Sequence, residues 1–243
     1  MLKKYALILS ILFTGIIFSE IKLLDISNDS LEQVTISRVI DGDTIKISDG
    51  RTIRLMNINA PEKNTVGSEL SRDYLLRFEN TSVLIDSEGE DKYGRTLSRI
   101  YSSSYLNLEL VKLGFSSKFL VSPDELDLFY EYEKEAISSG IGIWNHSEYF
   151  GCVKASIDSK EEIVKISLLC NVSTSGWYIK DESRKIYKFD SPFIGNIELH
   201  SLYGNSNSTT LFWNAGNVWN DDRDSIYIFD KNGKIVYSYS YGY

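Results

Sequence analysis

One change along the chain limits its fold more than any other. Near residue 145 the helical hydrophobic period stops, and from there to the end only strand-like alternation remains. Before that point, Val34 to Ile58 reads as three short strands, VTISRVI, TIKIS and TIRLMNI, separated by turn residues that include Ser48-Asp49-Gly50. A helical stretch follows over Ser68 to Phe78, then strands near Ser82 to Asp86 and Leu97 to Tyr101, then a short helix that Asn107 is placed to cap and Gly114 to end. The next helix carries fuller signals: Ser122 as N-cap, Pro123 in the first turn, Glu125 three residues after the cap, an apolar stripe of Leu126, Phe129, Tyr130 and Ile137, and Gly140 as its stop. After Trp144 the segments EIVKISLLC, GWYIKD, KIYKFD, NIELHSL, TTLFW, SIYIFD and KIVYSYSY alternate apolar with polar residues, and Asn232-Gly233 between the last two is the strongest hairpin signal in the chain. The expected class is α+β over residues 34–146, followed by an all-β antiparallel sandwich over residues 152–243.

At 243 residues the chain is long enough for two such units. With 42% hydrophobic and 25% charged residues it buries a core, and its formal charge of −8 excludes a protein that coats nucleic acid by bulk attraction. Any chemistry on nucleic acid has to be local. Residues 1–20 set two lysines before an apolar run from Ala6 to Phe18, the layout of a signal peptide; with no A-x-A site after it, an N-terminal anchor stays open as well. Either reading sends the rest of the chain out of the cell, secreted or held at the outer face of the membrane. There Cys152 and Cys170 can form a disulfide, or Cys170 can pack as a small buried apolar group, and the sequence leaves both open.

Charge gathers where the early strands turn, in Ile40-Asp41-Gly42-Asp43-Thr44, in Arg54-Leu55-Met56-Asn57-Ile58-Asn59-Ala60-Pro61-Glu62 and in Asp91-Lys92-Tyr93-Gly94-Arg95. Each segment alone is ordinary turn chemistry. Together they supply what metal-assisted phosphodiester hydrolysis needs. A hard divalent cation takes oxygen ligands, which Asp43, Asn59 and a backbone carbonyl near Thr44 can offer. Arg54 and Arg95 match phosphate oxygens with paired donors and keep their charge, while Glu62 can orient or deprotonate the attacking water.

Over residues 34–146 the sequence resembles the staphylococcal nuclease (thermonuclease) family, whose motif order and spacing it follows in IDGDT, IRLMNINAPE and DKYGR, then LNLELVKLGF and a last helix ending in GIGIW. The resemblance implies an OB-type five-stranded barrel with helices and a Ca2+-dependent endonuclease that cleaves the P–O5′ bond of DNA and RNA. It places Asp43 and Asn59 as side-chain metal ligands, Thr44 as the backbone ligand, Glu62 as general base, Arg54 and Arg95 on the scissile phosphate, Asp41 behind the metal ligands, and Lys92 and Tyr93 on a neighbouring phosphate. Asn59 departs from the family's archetype, which carries aspartate there, so the site has one negative charge fewer for calcium. An OB-type surface tracks a flexible strand, which makes single-stranded nucleic acid the expected substrate.

Residues 152–243 resemble the lamin-tail family of immunoglobulin-like sandwiches through GWYIKDESRKIYKF, VWNDDRDSIYIFD and DKNGKIVYSYSY. The resemblance implies a tethering or binding domain, with nucleic acid, surface glycans or another protein as open alternatives and contact with the cell surface or envelope among its uses; the chain is expected to be a monomer. Trp177, Trp213 and Trp219 read as core of that sandwich, and Asp221, Asp222 and Asp224 as an acidic turn. The opposing reading for the whole chain is a surface or nucleic-acid-binding protein without catalysis, in which Asn59 has ended metal-dependent turnover.

Overall fold

The computed structural model describes residues 31–243; the leader read in residues 1–20 lies outside them. The first strands are β1 (Glu32–Val39), β2 (Thr44–Ile47), β3 (Thr52–Leu55) and the short β4 (Ile58–Asn59), then helix α1 (Ser68–Leu76), β5 (Ser82–Glu90), β6 (Thr96–Tyr101), α2 (Leu106–Lys112), β7 (Ser117–Lys118) and α3 (Leu126–Ser139). Five of the strands close a barrel in the order β1-β2-β3-β6-β5, the OB-type arrangement expected. Alternation drives the closure: Val34, Ile36, Ile45, Ile47, Ile53, Leu55, Val83, Ile85 and Ile100 are all buried. The pair β4–β7 forms a separate two-stranded ribbon, with Ile58 opposite Lys118 and Asn59 opposite Ser117.

Three local expectations are corrected, for a common reason. TIRLMNI is not one strand. The chain turns at Asn57, whose φ of 66° lies in the left-handed region that asparagine tolerates, and β4 starts after it. Asn107 does not cap α2 but lies inside it, where its amide receives the Ile100 N–H (3.0 Å) and donates to the Met56 (3.0 Å) and Ser98 (3.0 Å) carbonyls. Ser122 and Glu125 do not form a capping box either; Pro123–Glu125 is a 3-10 turn before α3. The Glu125 carboxylate instead accepts Arg99 Nε (2.8 Å) and Asn57 Nδ2 (2.6 Å), and Ser122 donates to Asn57 Oδ1 (3.2 Å). At the two helix starts a buried polar group outweighs a helix end that water can satisfy, and at Asn57 the same buried network breaks the strand. The C-terminal signal of α3 is realised as read, with Gly140 left-handed at φ 64°.

Beyond Trp144 the chain continues as β8 (Val153–Asp158), β9 (Ile163–Leu168), β10 (Tyr178–Lys180), β11 (Ile186–Lys188), β12 (Asn196–His200), β13 (Thr210–Phe212), β14 (Asp224–Phe229) and β15 (Ile235–Tyr241). They form two four-stranded sheets, β11-β10-β14-β15 and β13-β12-β9-β8. Val164, Ile166, Ile197 and Leu199 of one sheet share a core with Ile179, Ile226, Ile228 and Val236 of the other, and with Trp177 and Trp219. The expected all-antiparallel pairing is corrected at one place, since β12 and β13 run parallel. The β14–β15 connection is not a two-residue turn: Asp230 accepts the N–H groups of Asn232 (2.8 Å) and Lys234 (3.0 Å), and Gly233 closes the loop at φ 75°. Cys152 and Cys170 form a disulfide at the open ends of β8 and β9.

Gln33 to Tyr243 is one compact unit, so barrel and sheets are joined rather than linked. Part of the joint is apolar, where Trp144, Ala136 and Ile137 pack on Tyr227, Phe229 and Ile235. The rest is ionic. Lys118, fully buried, extends its ammonium to Glu133 of α3 (2.9 Å), to Glu182 in the β10–β11 connection (3.1 Å) and to the hydroxyls of Ser225 (2.5 Å) and Ser240 (3.1 Å). Burial pulls its pKa down, but Glu133 and Glu182 outweigh this and hold it above the ordinary lysine value. Tyr227 donates to both oxygens of Glu133 (3.0 Å each) and Tyr243 to Glu182 (2.6 Å), so both carboxylates are further satisfied.

Removing the ammonium leaves two buried carboxylates facing each other, so Lys118→Ala should lower stability by ~3–5 kcal/mol, read from urea unfolding followed by tryptophan fluorescence. Breaking the disulfide with reductant should lower it by ~3 kcal/mol, read in the same experiment with and without reductant.

Candidate active site

The site starts at the β1–β2 turn. Asp41 Oδ1 accepts the Asp43 N–H (3.1 Å), which folds the turn back on itself, and Gly42 sits where a Cβ would lie 2.6 Å from Ser71 Cβ and 2.7 Å from Ala60 Cβ. Only glycine fits between the two aspartates. Asp43 is thereby driven inward to 2% exposure, where its Oδ2 receives the Ala60 N–H (3.0 Å) and the Arg54 guanidinium (3.1 Å), and its Oδ1 the Thr44 hydroxyl (3.0 Å). Arg54, at the end of β3, also donates to the Ile58 carbonyl (2.9 Å) and to that of Leu55, so it supports the exit of β4 from below. Burial pulls the Arg54 pKa down while Asp43 holds it up, and a guanidinium stays charged throughout. Burial, and after it the Asp43 carboxylate, push Asp41 above the usual carboxylate range.

Arg95 approaches from the β5–β6 turn. Asp91 binds its Nε (2.7 Å) and Nη2 (2.7 Å), and its Nη1 donates to Thr44 Oγ1 (3.3 Å). Lys92 and Tyr93 ride on the same turn. Tyr93 is 72% exposed, with the Arg95 guanidinium 5.5 Å and the Lys92 ammonium 5.1 Å from its ring, so these two residues join the site only through Arg95.

Asn59 and Glu62 stand on the far side, and here the sequence reading is incomplete. A cleft of ≈ 250 Å³ is lined by Asp41, Asp43, Ala60, Glu62, by the basic Arg38 and Lys63, and by Arg184, which comes from the β10–β11 connection more than a hundred residues away. Arg184 Nε donates to Asn59 Oδ1 (3.2 Å), Nη1 pairs with Glu62, and Nη2 lies 3.7 Å from Asp43 Oδ2. The Asn59 amide nitrogen donates to the backbone carbonyls of Glu182 (3.0 Å) and Ser183. No spacing in the sequence links Arg184 to the motifs; its approach depends on how the sheets dock.

The oxygens assigned to calcium are therefore engaged. Asn59 Oδ1 faces a guanidinium and Asp43 Oδ2 faces two, while Glu62, read as the general base, is ion-paired as well. The Thr44 carbonyl accepts the N–H groups of Ile40 (3.0 Å) and Asp41 (3.2 Å), so both of its lone pairs serve the turn. Among the described residues no cluster of three or more His, Cys, Asp or Glu is arranged to hold a metal ion. A calcium ion here would have to displace the Arg184 guanidinium from Asn59 and Asp43, so the donors as they are engaged do not fit it.

The molecule is thus an OB-type barrel protein that gathers arginines and carboxylates in one cleft, its guanidiniums able to pair with phosphate oxygens. Residues 52–146 match the family described as Staphylococcal nuclease homologue. The thermonuclease of Staphylococcus intermedius is 33% identical over 129 residues, covering 46% of this chain and 76% of that protein. The micrococcal nuclease of Shigella flexneri is 30% identical over 125 residues, 44% of this chain and 71% of its own. Endonuclease YhcR of Bacillus subtilis (strain 168) is 33% identical over 138 residues, 46% of this chain, but the chain spans only 11% of that much longer protein. The chain belongs to the staphylococcal nuclease homologue family. The family match ends before β8, so Arg184 lies outside it.

Because Arg54 satisfies Asp43 and two backbone carbonyls in the interior, Arg54→Ala should destabilise the barrel by ~3–5 kcal/mol as well as impair the site, read as a lower thermal midpoint by circular dichroism.

Proposed function

We propose that this chain is a thermonuclease-like nuclease, a hydrolase that cleaves phosphodiester bonds of DNA and RNA in the cleft between the β1–β2 turn and the exit of β4. One observation carries the reading: Glu62, Asp43, Arg54 and Arg95 belong to one connected set, from Glu62 through Arg184 to Asp43, then to Arg54 directly and to Arg95 through Thr44. Arg54 and Arg95 bind and neutralise the phosphate as charge builds in the transition state, held in place beforehand by Asp43 and Asp91. Glu62, half exposed at the cleft, takes the proton of the attacking water; the new P–O bond forms as P–O5′ breaks, and the leaving alkoxide collects a proton from Glu62 or water. Asp41 and Asp43 set the turn that holds Thr44 against Arg95. Lys92 and Tyr93, exposed beside Arg95, meet the neighbouring phosphate. A single strand suits the cleft, since a flexible backbone can bend its scissile phosphate in to the arginines where a stiff duplex resists.

The two C-terminal sheets, which we read as a lamin-tail-like immunoglobulin-type domain, tether the barrel to the cell surface or envelope, and the protein acts outside the cell as a monomer. The disulfide is in keeping with an oxidising compartment. One observation favours the opposing reading of a non-catalytic binder, namely that Glu62 is paired with Arg184. Digestion of a fluorescent single-stranded oligonucleotide separates the two: a nuclease shortens it, a binder retards it intact.

Arg95 is partly exposed and held by a surface turn, so Arg95→Ala should keep the fold and lower turnover by ~100-fold or more, read from initial rates beside an unchanged circular dichroism spectrum. Duplex of the same sequence should be cleaved more slowly than the single strand at equal salt; equal rates would remove the strand preference.

A further inference from the structure

We propose that Arg184 is the resident cation of this active site: its guanidinium holds the place of a divalent ion among Asp43, Asn59 and Glu62, keeps such ions out, and binds the scissile phosphate. The last part rests on the nuclease reading; the first two do not. The contacts are those of a cation in a ligand set. Three side chains that converge on one point each direct an oxygen to the same guanidinium, by its Nε, Nη1 and Nη2 in turn. A guanidinium has five N–H groups, so these contacts leave donors over for a phosphate, and its charge is permanent. Arg184 is half exposed and lines the cleft, as a group that meets substrate must.

The identity of residue 59 supports the same conclusion. Its side-chain nitrogen donates to two carbonyls of the connection that carries Arg184. An aspartate has no hydrogen to donate and would set a carboxylate against both carbonyls, so the docked connection requires asparagine. The amide that lowers the charge available to a metal is the group that brings a built-in positive charge to the same point.

That connection is fixed rather than hinged. Asp181 Oδ1 receives the Lys185 N–H (2.9 Å) and its Oδ2 the Ser183 hydroxyl (2.6 Å), which ties the turn from within. The adjacent Glu182 is held by the buried Lys118. A plug designed to leave would not be anchored through a fully buried ion pair, so Arg184 belongs to the working site and not to a removable cover.

The test uses the full chain as wild type, Arg184→Ala and Arg184→Gln, the second keeping a hydrogen-bonding group toward Asn59. Calcium chloride is titrated by calorimetry, and cleavage of a single-stranded oligonucleotide is followed in EDTA and in calcium. The expected result is no calcium uptake by the wild type below ~1 mM, and calcium uptake by both variants once the carboxylates are freed. Wild-type cleavage should resist EDTA; the variants should lose ~100-fold or more of that EDTA-resistant rate with an unchanged circular dichroism spectrum, and added guanidinium chloride should restore part of it. Calcium uptake by the wild type as tight as by the variants overturns the proposal, as does EDTA-resistant cleavage that the substitutions leave untouched, or variants faster than wild type, which would make Arg184 an inhibitor. If no protein cleaves under any condition, the nuclease reading fails, and the calorimetry still decides whether the guanidinium holds the cation's place.

Discussion

A single ammonium group, that of Lys118, determines how the two halves of this molecule can meet. A charge removed from water needs partners of opposite sign at close range, and Lys118 finds one on α3 and the other on the β10–β11 connection. Glu133 alone would leave the cluster open on the side of the sheets. Glu182 closes it, and in doing so it sets the residues on either side of it in space. Asp181 then shapes the turn and Arg184 projects over the exit of β4. The ion cluster and the candidate cleft are thus neighbours on one ribbon, since Lys118 and Asn59 both lie on the β4–β7 pair.

This proximity changes how the active site is to be understood. In the barrel alone, Asp43, Glu62 and the amide of Asn59 would face a cleft whose basic groups are Arg38, Lys63 and the Arg54 that pairs with Asp43. With the sheets docked, Asp43, Glu62 and Asn59 meet a further guanidinium. The two kinds of cation are not equivalent. A divalent ion concentrates two charges at a point and lowers the pKa of bound water, whereas a guanidinium spreads one charge over a plane of donors and acts on phosphate oxygens alone. On the proposed nuclease reading, the burden of activating water then falls on Glu62, and that of neutralising phosphate on arginines positioned before substrate arrives.

The comparison of helix ends shows where local reading is strong and where it is weak. Gly140 ends α3 as read, because a left-handed C-cap is decided within a few residues by the lack of a Cβ. Asn107, Ser122 and Glu125 carry equally good capping chemistry and are used elsewhere, joined with Asn57 and Arg99 in or beside a buried network. A side chain that can satisfy a helix end can also satisfy any other buried donor or acceptor, and the one farthest from water prevails. The break at Asn57 follows the same rule: its amide is held from both sides, and the strand yields to it.

The sequence by itself determined the early strands, the run of strands after Trp144, and the three charged segments that carry Asp43, Arg54, Glu62 and Arg95, because hydrophobic period, turn chemistry and motif spacing are local properties; their closure into a barrel was what the family resemblance implied. It also marked Asn59 as a departure, without showing its use. Only the tertiary structure decided what that amide binds, which cysteine alternative holds, and that an arginine from the far end of the chain enters the cleft. Those outcomes depend on where one rigid surface rests on another, and that is settled by buried charge and shape together, neither of which is written in any short stretch of residues.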